Sequence, residues 1–303
     1  MSKRIIFYYQ AYMSLDSLLS KNTPITHLHL GAINFDLDIN RIATIYLNDY
    51  KPFDIIYYNV WNDIEYAAKL GIKIILTIGG TAGTFTKLFD NFDKYYNCLC
   101  LLIRGKALFS GVELNIKDAC PLNNIRYLIC RLIADFGEDF LISITARQEY
   151  LETDYPDKCA FIYRDLLNTS QGKYINYLNS QFFLDYTLDA YDDVIDNGYP
   201  SEKLIMGMKA YEDISDLPKI IKKYGDKFGG VCLYERLNEN IMFSDIIKDI
   251  DKFLNYYDYH AVDNINEING LGEDEINGLG EYEINGLGED ELNNKKYPSC
   301  EIL

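Results

Sequence analysis

Eight short apolar runs alternate with longer amphipathic segments along this chain. Runs such as HLHLGAI and KIILTIGG are almost continuously hydrophobic and rich in β-branched residues, which is typical of parallel strands covered on both faces. Because parallel strands need crossover connections, the alternation predicts an α/β architecture. The predicted strands span 5–10, 27–33, 72–78, 111–117, 141–146, 177–183, 204–208 and 230–234.

The segments between the strands carry the spacing of amphipathic helices. Gly71 closes the first of them and Gly198 closes the fifth, as expected at helix C-termini. Repeated strand–helix units over about 255 residues favour a closed (β/α)₈ TIM barrel over an open doubly wound sheet. The Tyr-rich segment 38–60 predicts either a hairpin or an irregular loop near the rim. The predicted helices span 62–70, 84–106, 121–136, 158–170, 187–197, 215–224 and 242–257.

The last part of the chain has a different composition. An eight-residue repeat, EINGLGED or EINGLGEY, starts at 267, 275 and 283. Each unit has two glycines, several acids and only two aliphatic residues, so it cannot bury enough surface to offset its conformational entropy. We therefore predict a barrel over 1–260 and a disordered, low-complexity acidic tail over 261–303. The final residues, Cys300 to Leu303, also fit a prenylation pattern, for which chance is the alternative.

Composition excludes several classes of function. A formal net charge of −17 argues against nucleic-acid partners, which need a basic surface. No apolar run approaches the roughly 20 residues of a membrane span, and no secretory signal opens the sequence, so a cytoplasmic or intracellular location is expected. The seven cysteines are scattered and predict reduced, mostly buried thiols. We expect no metal and no cofactor.

Two stretches point to a family. Residues 77–80 read Thr-Ile-Gly-Gly at the end of the third strand, and Phe109–Lys117 follows some thirty residues later. Their order and spacing resemble those of family 18 glycoside hydrolases, in which the third strand ends in Ser-x-Gly-Gly. The fourth strand of that family carries Asp-x-x-Asp-x-Asp-x-Glu. The four matching positions in this sequence are Ser110, Glu113, Asn115 and Lys117.

Further segments fit the same template in the same order, so the resemblance covers roughly 5–257 and looks most like the plant-type chitinase branch. It implies a barrel whose site lies at the C-terminal ends of the strands. Glu113, Asn115 and Lys117 alternate with apolar residues and therefore face the barrel mouth together. The additional matching segments are 7–10, 145–148, 181–183, 203–208 and 229–234.

The resemblance also implies a substrate-assisted mechanism. In the family, the fourth-strand Glu protonates the glycosidic oxygen while the N-acetyl group of the substrate attacks the sugar carbon. The preceding Asp orients that acetamide, and a Tyr on the sixth strand hydrogen-bonds it. These three positions hold Lys117, Asn115 and Phe183 here. Because an ammonium with a reference pKa near 10.4 donates its proton poorly at neutral pH, we predict that this hydrolysis is lost and assign no catalytic residue.

The sequence therefore predicts a catalytically inactive, chitinase-like protein that binds carbohydrates containing N-acetylglucosamine. One alternative is an active glycosidase that uses a displaced acid, for which Asp118 and Glu149 are the candidates. Asp118 faces the other way by strand parity, and Glu149 has only its nearness to the fifth strand in its favour. Another alternative is a structural or interaction protein. The predicted substrate-binding residues are Tyr8, Gln10, Glu113, Asn115, Lys117, Gln148, Gln181, Phe183 and Tyr234.

Structural roles compete with each of these assignments. Glu113, Asn115 and Lys117 would also fit a self-satisfied polar network that plugs the barrel, with Glu113 or Asp185 paired to the lysine. Any single tyrosine is more often a packing residue in a chain that has 27 of them. Packing is also favoured for Trp61, and core or surface roles for His27, His29 and His260.

Overall fold

A computed structural model describes residues 3–10, 12, 14–153, 155–156, 158–183, 185–209, 214–234 and 243–260. The predicted repeat tail and Cys300 with its prenylation pattern lie outside these residues. Within them, no helix is both long enough and apolar enough to cross a membrane.

Eight parallel strands close into a barrel, which confirms the predicted (β/α)₈ architecture. The first strand pairs with both the second and the last, so the sheet has no open edge around the barrel. A ninth strand extends the sheet outside the closed ring. The strands are β1 (Arg4–Tyr9), β2 (His27–Leu37), β3 (Ala43–Leu47), β4 (Lys73–Gly79), β5 (Phe109–Asn115), β6 (Leu141–Arg147), β7 (Ile175–Gln181), β8 (Leu204–Lys209) and β9 (Gly230–Tyr234).

The segment 38–60 contains the turn and the second strand of a hairpin, as one of the two predictions had it. β2 runs beyond the barrel, and β3 pairs antiparallel with its second half, from Ile33 with Leu47 to Leu37 with Ala43. The outer edge of β3 is covered, because the Tyr57 hydroxyl donates to the Leu47 carbonyl and the Cys98 thiol donates to the Ala43 carbonyl at 3.4 Å. The hairpin therefore lies beside the barrel mouth, and its outer edge is covered.

The helices follow the prediction in order, except that the first begins four residues earlier, at Tyr58, that the short helix Gln148–Leu151 is not predicted, and that two predicted helices change. Asn91 adopts φ −148° and ψ 61° and divides the predicted helix 84–106 into two. The predicted helix 158–170 is reduced to five residues, because Ile162 is still extended. The α-helices are α1 (Tyr58–Lys69), α2 (Thr84–Asp90), α3 (Phe92–Lys106), α4 (Leu122–Phe136), α5 (Gln148–Leu151), α6 (Tyr163–Leu167), α7 (Leu188–Asp196), α8 (Leu217–Tyr224) and α9 (Phe243–His260).

The hydrophobic core has two parts. The larger part lies between the outer faces of the strands and the surrounding helices. Trp61 belongs to it, and its indole N–H donates to the Pro52 carbonyl at 2.7 Å, which confirms a packing role. Cys130 is exposed, unlike the buried Cys100, Cys120, Cys159 and Cys232, and all the described cysteines are free thiols. The smaller part fills the barrel interior with Ile6, Tyr8, Tyr177, Ile205, Cys232 and Tyr234.

Candidate functional site

A buried carboxylate lies at the centre of the barrel. Glu113 on β5 has no exposed surface, and it accepts hydrogen bonds from Thr77 Oγ1 at 2.9 Å and Asn179 Nδ2 at 2.8 Å. Its Oε1 also lies 3.2 Å from Nδ1 of the equally buried His29, whose Nε2 contacts the Tyr177 hydroxyl at 2.9 Å. Glu113 is therefore part of a buried polar network, and His29 has a core role as predicted.

The polar partners of Glu113 favour its ionised form. Burial alone would raise the pKa of the Glu113 carboxyl, but His29 and the donors Asn179 and Thr77 outweigh it and hold the pKa below its usual value. Burial, together with the neighbouring His29, Arg4 and Lys73, lowers the pKa of His27 to about 3. Glu113 is thus ionised and His27 neutral at physiological pH.

The next layer towards the mouth is formed by Asn115 and its neighbours. Gly79 and Gly80 have φ angles of +93° and +91°, a region that favours glycine. The Gly80 amide donates to the Asn115 carbonyl at 2.7 Å. The Asn115 side chain contacts the Tyr8 hydroxyl, while its Oδ1, like Oγ1 of Thr145, is buried without a hydrogen-bond partner among the described residues. Two buried polar atoms of this layer thus lack a hydrogen-bond partner among the described residues.

Aromatic rings line one side of the mouth. The rings of Tyr8 and Tyr234 are stacked at 4.6 Å with an interplanar angle of 22°. The half-buried ring of Phe183 meets Tyr234 edge-on at 5.0 Å. Burial and the nearby carboxylate of Glu113 raise the pKa of Tyr8 far above its usual value, so this hydroxyl stays protonated. The three rings form an apolar wall, with the Tyr8 hydroxyl among buried polar groups.

Three cationic residues lie at the C-terminal ends of β5, β6 and β8 or just beyond them. Leu114 pairs with Ile144 across β5 and β6, and Lys117 and Arg147 each follow three residues later. On β8, the Lys209 ammonium lies 4.6 Å from the centre of the Phe183 ring. All three cations are half-buried. Lys209 thus lies beside the Phe183 ring, whereas Arg147 is paired with Glu149 at 3.1 Å.

The other predicted residues have the following places. The half-buried Gln10 accepts a hydrogen bond at its carbonyl from Asn48 Nδ2 at 3.3 Å. Gln181 ends β7 opposite Arg147. Gln148 is the first residue of α5, and its Nε2 donates to Glu152 at 2.6 Å, so Arg147 continues the inward face of β6 and Gln148 does not. Ser110 is half-buried near the start of β5, at the opposite end from the mouth.

The two displaced-acid candidates have other contacts. Asp118 accepts hydrogen bonds from the Thr86 amide at 2.6 Å and the Thr86 hydroxyl at 2.7 Å, which caps the start of α2. Glu149 pairs with Arg147 at 3.1 Å, and 49% of its side chain is exposed. Asp118 is thus held by α2, and Glu149 is paired and exposed, so neither carboxylate is positioned by the structure as a general acid.

Solved structures contain the same barrel. A fungal endo-β-N-acetylglucosaminidase of glycosyl hydrolase family 18 matches at 25% identity with a TM-score of 0.71, covering 82% of this chain and 97% of that protein. A chitinase from Aspergillus fumigatus matches at 25% identity and a TM-score of 0.71, covering 79% and 93%. A family 18 chitinase from Pseudoalteromonas aurantia matches at 18% identity and a TM-score of 0.64, covering 84% and 100%. This chain resembles the family 18 glycoside hydrolases.

No protein-family model and no curated protein sequence matches the chain. The family 18 resemblance therefore rests on the barrel and on the ordered strand segments. The chitinase-like fold is common to these proteins, whereas Ser110, Glu113, Asn115 and Lys117 depart from the family 18 motif. The plant-type branch stays a prediction, as do the substrate-binding roles.

Sequence reasoning missed part of this family 18-like mouth. The predicted substrate-binding residue of the segment 145–148 is Gln148. Alternation along β6 from the inward-facing Thr145 instead places Arg147 on the inward face. Lys209 continues the inward positions Ile205 and Gly207 on β8 and could have been found in the same way. The link between His29 and Glu113 joins residues 84 positions apart on β2 and β5, and no local pattern reveals it.

Proposed function

We propose that this protein is a catalytically inactive, chitinase-like protein that binds glycans containing N-acetylglucosamine in the barrel mouth. The proposal rests on which residues occupy the four motif positions and on what those residues contact. Only one of them, Glu113, has a carboxyl group, and that group is fully buried and engaged by His29, Thr77 and Asn179. A carboxylate held ionised below the mouth cannot protonate a glycosidic oxygen.

The mouth keeps features that suit a sugar. The half-buried Phe183 ring, which packs on the buried and mutually stacked Tyr8 and Tyr234, gives the mouth an apolar side that suits the apolar face of a pyranose ring. Asn115 Oδ1 and Thr145 Oγ1 are buried acceptors without partners among the described residues, and hydroxyl or acetamide N–H groups of a sugar would satisfy them. Such groups favour ligand binding over a purely structural plug.

The related structures support the choice of glycan. The proteins that match at 25% identity are described as an endo-β-N-acetylglucosaminidase and a chitinase, and we extend to this chain only the sugar class that these names imply. An active enzyme with a displaced acid is disfavoured, because Asp118 caps α2 and Glu149 is paired and exposed. No observation favours that second function.

Calorimetric titration with chitotetraose, together with a hydrolysis assay, tests the proposal. We expect the wild-type protein to release heat on binding and to cleave nothing. The double variant Lys117→Glu, Asn115→Asp restores the two carboxyls of the family motif and serves as the matched control for the assay. Cleavage by the wild type would refute inactivity. Absence of binding by both proteins would refute the glycan and favour a structural or interaction role.

A further inference from the structure

We infer that the acidic repeat segment 267–290 docks on a cationic surface of the same chain, at the N-terminal end of the barrel. This cationic surface consists of Arg4, Lys73 and Lys203 together with the half-buried His27. The inference does not depend on glycan binding, because the mouth lies at the opposite end of the strands.

The sheet brings these residues to one end of the barrel. Arg4, His27 and Lys73 are the first residues of β1, β2 and β4, and Lys203 immediately precedes β8. His27 pairs with Lys73 across β2 and β4. Arg4 and Lys73 both lower the pKa of His27, so their positive charges act on the same imidazole. Three adjacent strands therefore begin with a cation or with an imidazole that is held neutral.

Side-chain contacts connect the members of the cationic surface. The Arg4 guanidinium lies 4.9 Å from the centre of the Tyr177 ring, and the His27 ring meets the same ring edge-on at 5.7 Å. Arg4 also donates to the Glu202 carbonyl at 3.3 Å, beside Lys203. The charge of Arg4 helps to lower the pKa of Lys203, after the larger effect of burial. Arg4 is thus the centre of the group.

The positive charge of this surface is not neutralised by ion pairs. Arg4 and Lys203 donate to backbone carbonyls, Arg4 to Gly229 at 3.4 Å and Lys203 to Ile175 at 2.7 Å. Within the described residues, no member of the cationic surface is ion-paired to a carboxylate, although Glu202 is close enough to favour the charged form of Lys203. Cations that are already oriented by carbonyls, and that lack an acidic partner, favour an anionic ligand.

The last described helix ends at the same end of the barrel. The ammonium of Lys3, the residue before β1, donates to the Leu254 carbonyl of α9 at 3.4 Å. From Leu254, α9 continues for six residues to His260, about 9 Å at the usual helical rise. The seven residues from there to Glu267 can span up to about 23 Å, whereas adjacent strands lie only about 5 Å apart. The first repeat is therefore within reach of the cationic surface.

Charge makes this segment the fitting occupant. Residues 267–290 contain eight acids and neither lysine nor arginine. Residues 1–260 carry a formal charge of −8, since 261–303 contribute −9 of the −17. The barrel as a whole therefore repels the segment, and a local cluster of cations attracts it. Attachment to α9 also keeps the segment at a high effective concentration, so individually weak contacts are sufficient for docking.

Carbodiimide cross-linking of the full chain, followed by mass spectrometry, tests the inference, because this reagent joins only an amine and a carboxylate that are in contact. We expect links from Lys73 and Lys203 to acids of 267–290 at about 20 mM salt, and a yield lower by about threefold or more at about 500 mM. Lys94, an exposed lysine on the outer helix α3, is the control and should give few such links.

Variants test whether the cations act together. Arg4→Gln and Lys203→Gln should each lower the yield of links from Lys73 about threefold, because each removes a neighbouring positive charge. Lys94→Gln is the matched control and should leave the yield unchanged. Thermal unfolding verifies that each variant is folded, and two separate variants keep the test informative if one of them does not fold.

Yields from Lys73 and Lys203 no greater than the yield from Lys94 would overturn the inference, and so would yields that do not respond to salt. A mixture of isotope-labelled and unlabelled protein identifies the chain that supplies the acids. We expect links within one chain. Links that join labelled to unlabelled chains would overturn docking within the chain and assign the surface to the repeats of a second copy.

Discussion

Glu113 Oε1 and His29 Nδ1 lie 3.2 Å apart inside the barrel, and neither side chain has any exposed surface. The pair joins β5 to β2 across the interior, and Thr77 and Asn179 donate hydrogen bonds to the same carboxylate. A buried charge of this kind is stable only while its partners remain. The pair therefore stabilises the barrel interior beneath the proposed binding site.

Removal of the Glu113 carboxylate should destabilise the fold strongly. Glu113→Leu leaves His29, Asn179 and Thr77 with unsatisfied buried groups, so we expect a loss of about 3–5 kcal/mol in the free energy of unfolding. Glu113→Gln keeps an acceptor and should lose less. Urea unfolding measures both. Glu65→Gln, at an exposed carboxylate 4.0 Å from Lys106, is the control and should change stability by less than about 1 kcal/mol. Equal stability of Glu113→Leu and the control would contradict the network.

His27 should make the protein sensitive to mild acid. Burial, with the neighbouring His29, Arg4 and Lys73, lowers its pKa from 6.5 to about 3. Between these values the unfolded chain binds a proton that the folded protein does not, so the free energy of unfolding decreases as the pH falls. The slope is about 1.4 kcal/mol per pH unit. Urea unfolding between pH 7.5 and pH 4.5 should therefore show a shallower decline for His27→Gln than for the wild type.

The Glu113 carboxyl contributes to acid sensitivity in a lower window. Its pKa is held below the reference value of 4.5, so its stabilising effect is complete above that value and is lost as the pH falls further. Acid unfolding of His27→Gln should begin only in this lower range. An unchanged slope between pH 6.5 and pH 5 would mean that His27 takes up its proton in the folded state.

Much of the barrel could be predicted because its strands are short, apolar and separated by clear helix ends. Periodicity could not locate the break at Asn91, since the apolar spacing continues through it from α2 into α3. It also misjudged 158–170, where Cys159 and Phe161 are buried without being helical. Apolar residues at helical spacing indicate burial, and burial alone does not fix the backbone conformation.

The site was predicted less completely. Alternation on β5 correctly gave Glu113 and Asn115 a common inward face, because residue parity is a local property. The partners of Glu113 come from three other strands, and only the closure of the barrel brings His29, Thr77 and Asn179 together. The exact ends of strands were also hard to predict. β6 stops at Arg147 and α5 starts at Gln148, and no sequence signal marks this boundary.

Gly79 should tolerate no side chain. Its φ is +93°, and an added Cβ would lie 2.3 Å from the Asn115 carbonyl oxygen. Gly83 is a matched control, because its φ is +87° but nothing lies within 4 Å of its added Cβ. We expect Gly83→Ala to cost about 1 kcal/mol from backbone strain and Gly79→Ala to cost about 3 kcal/mol or more. Thermal unfolding compares them, and equal losses would mean that β5 moves aside.

Variants of Asp118 test whether its carboxylate has a structural role or acts as a displaced catalytic acid. It accepts from the amide and hydroxyl of Thr86, and α2 has no capping side chain at its own N-cap residue, Gly83. Asp118→Ala should therefore lower stability by about 1 kcal/mol, whereas Asp118→Asn, which keeps an acceptor, should lower it less.

Neither Asp118 variant should change chitotetraose binding, because the carboxylate points to α2 and away from the aromatic wall. Any trace hydrolysis in the wild-type preparation should also persist in both. Turnover that disappears in Asp118→Asn while the fold stays intact would show that this carboxyl donates a proton to the substrate, since an amide can cap a helix but cannot act as a general acid.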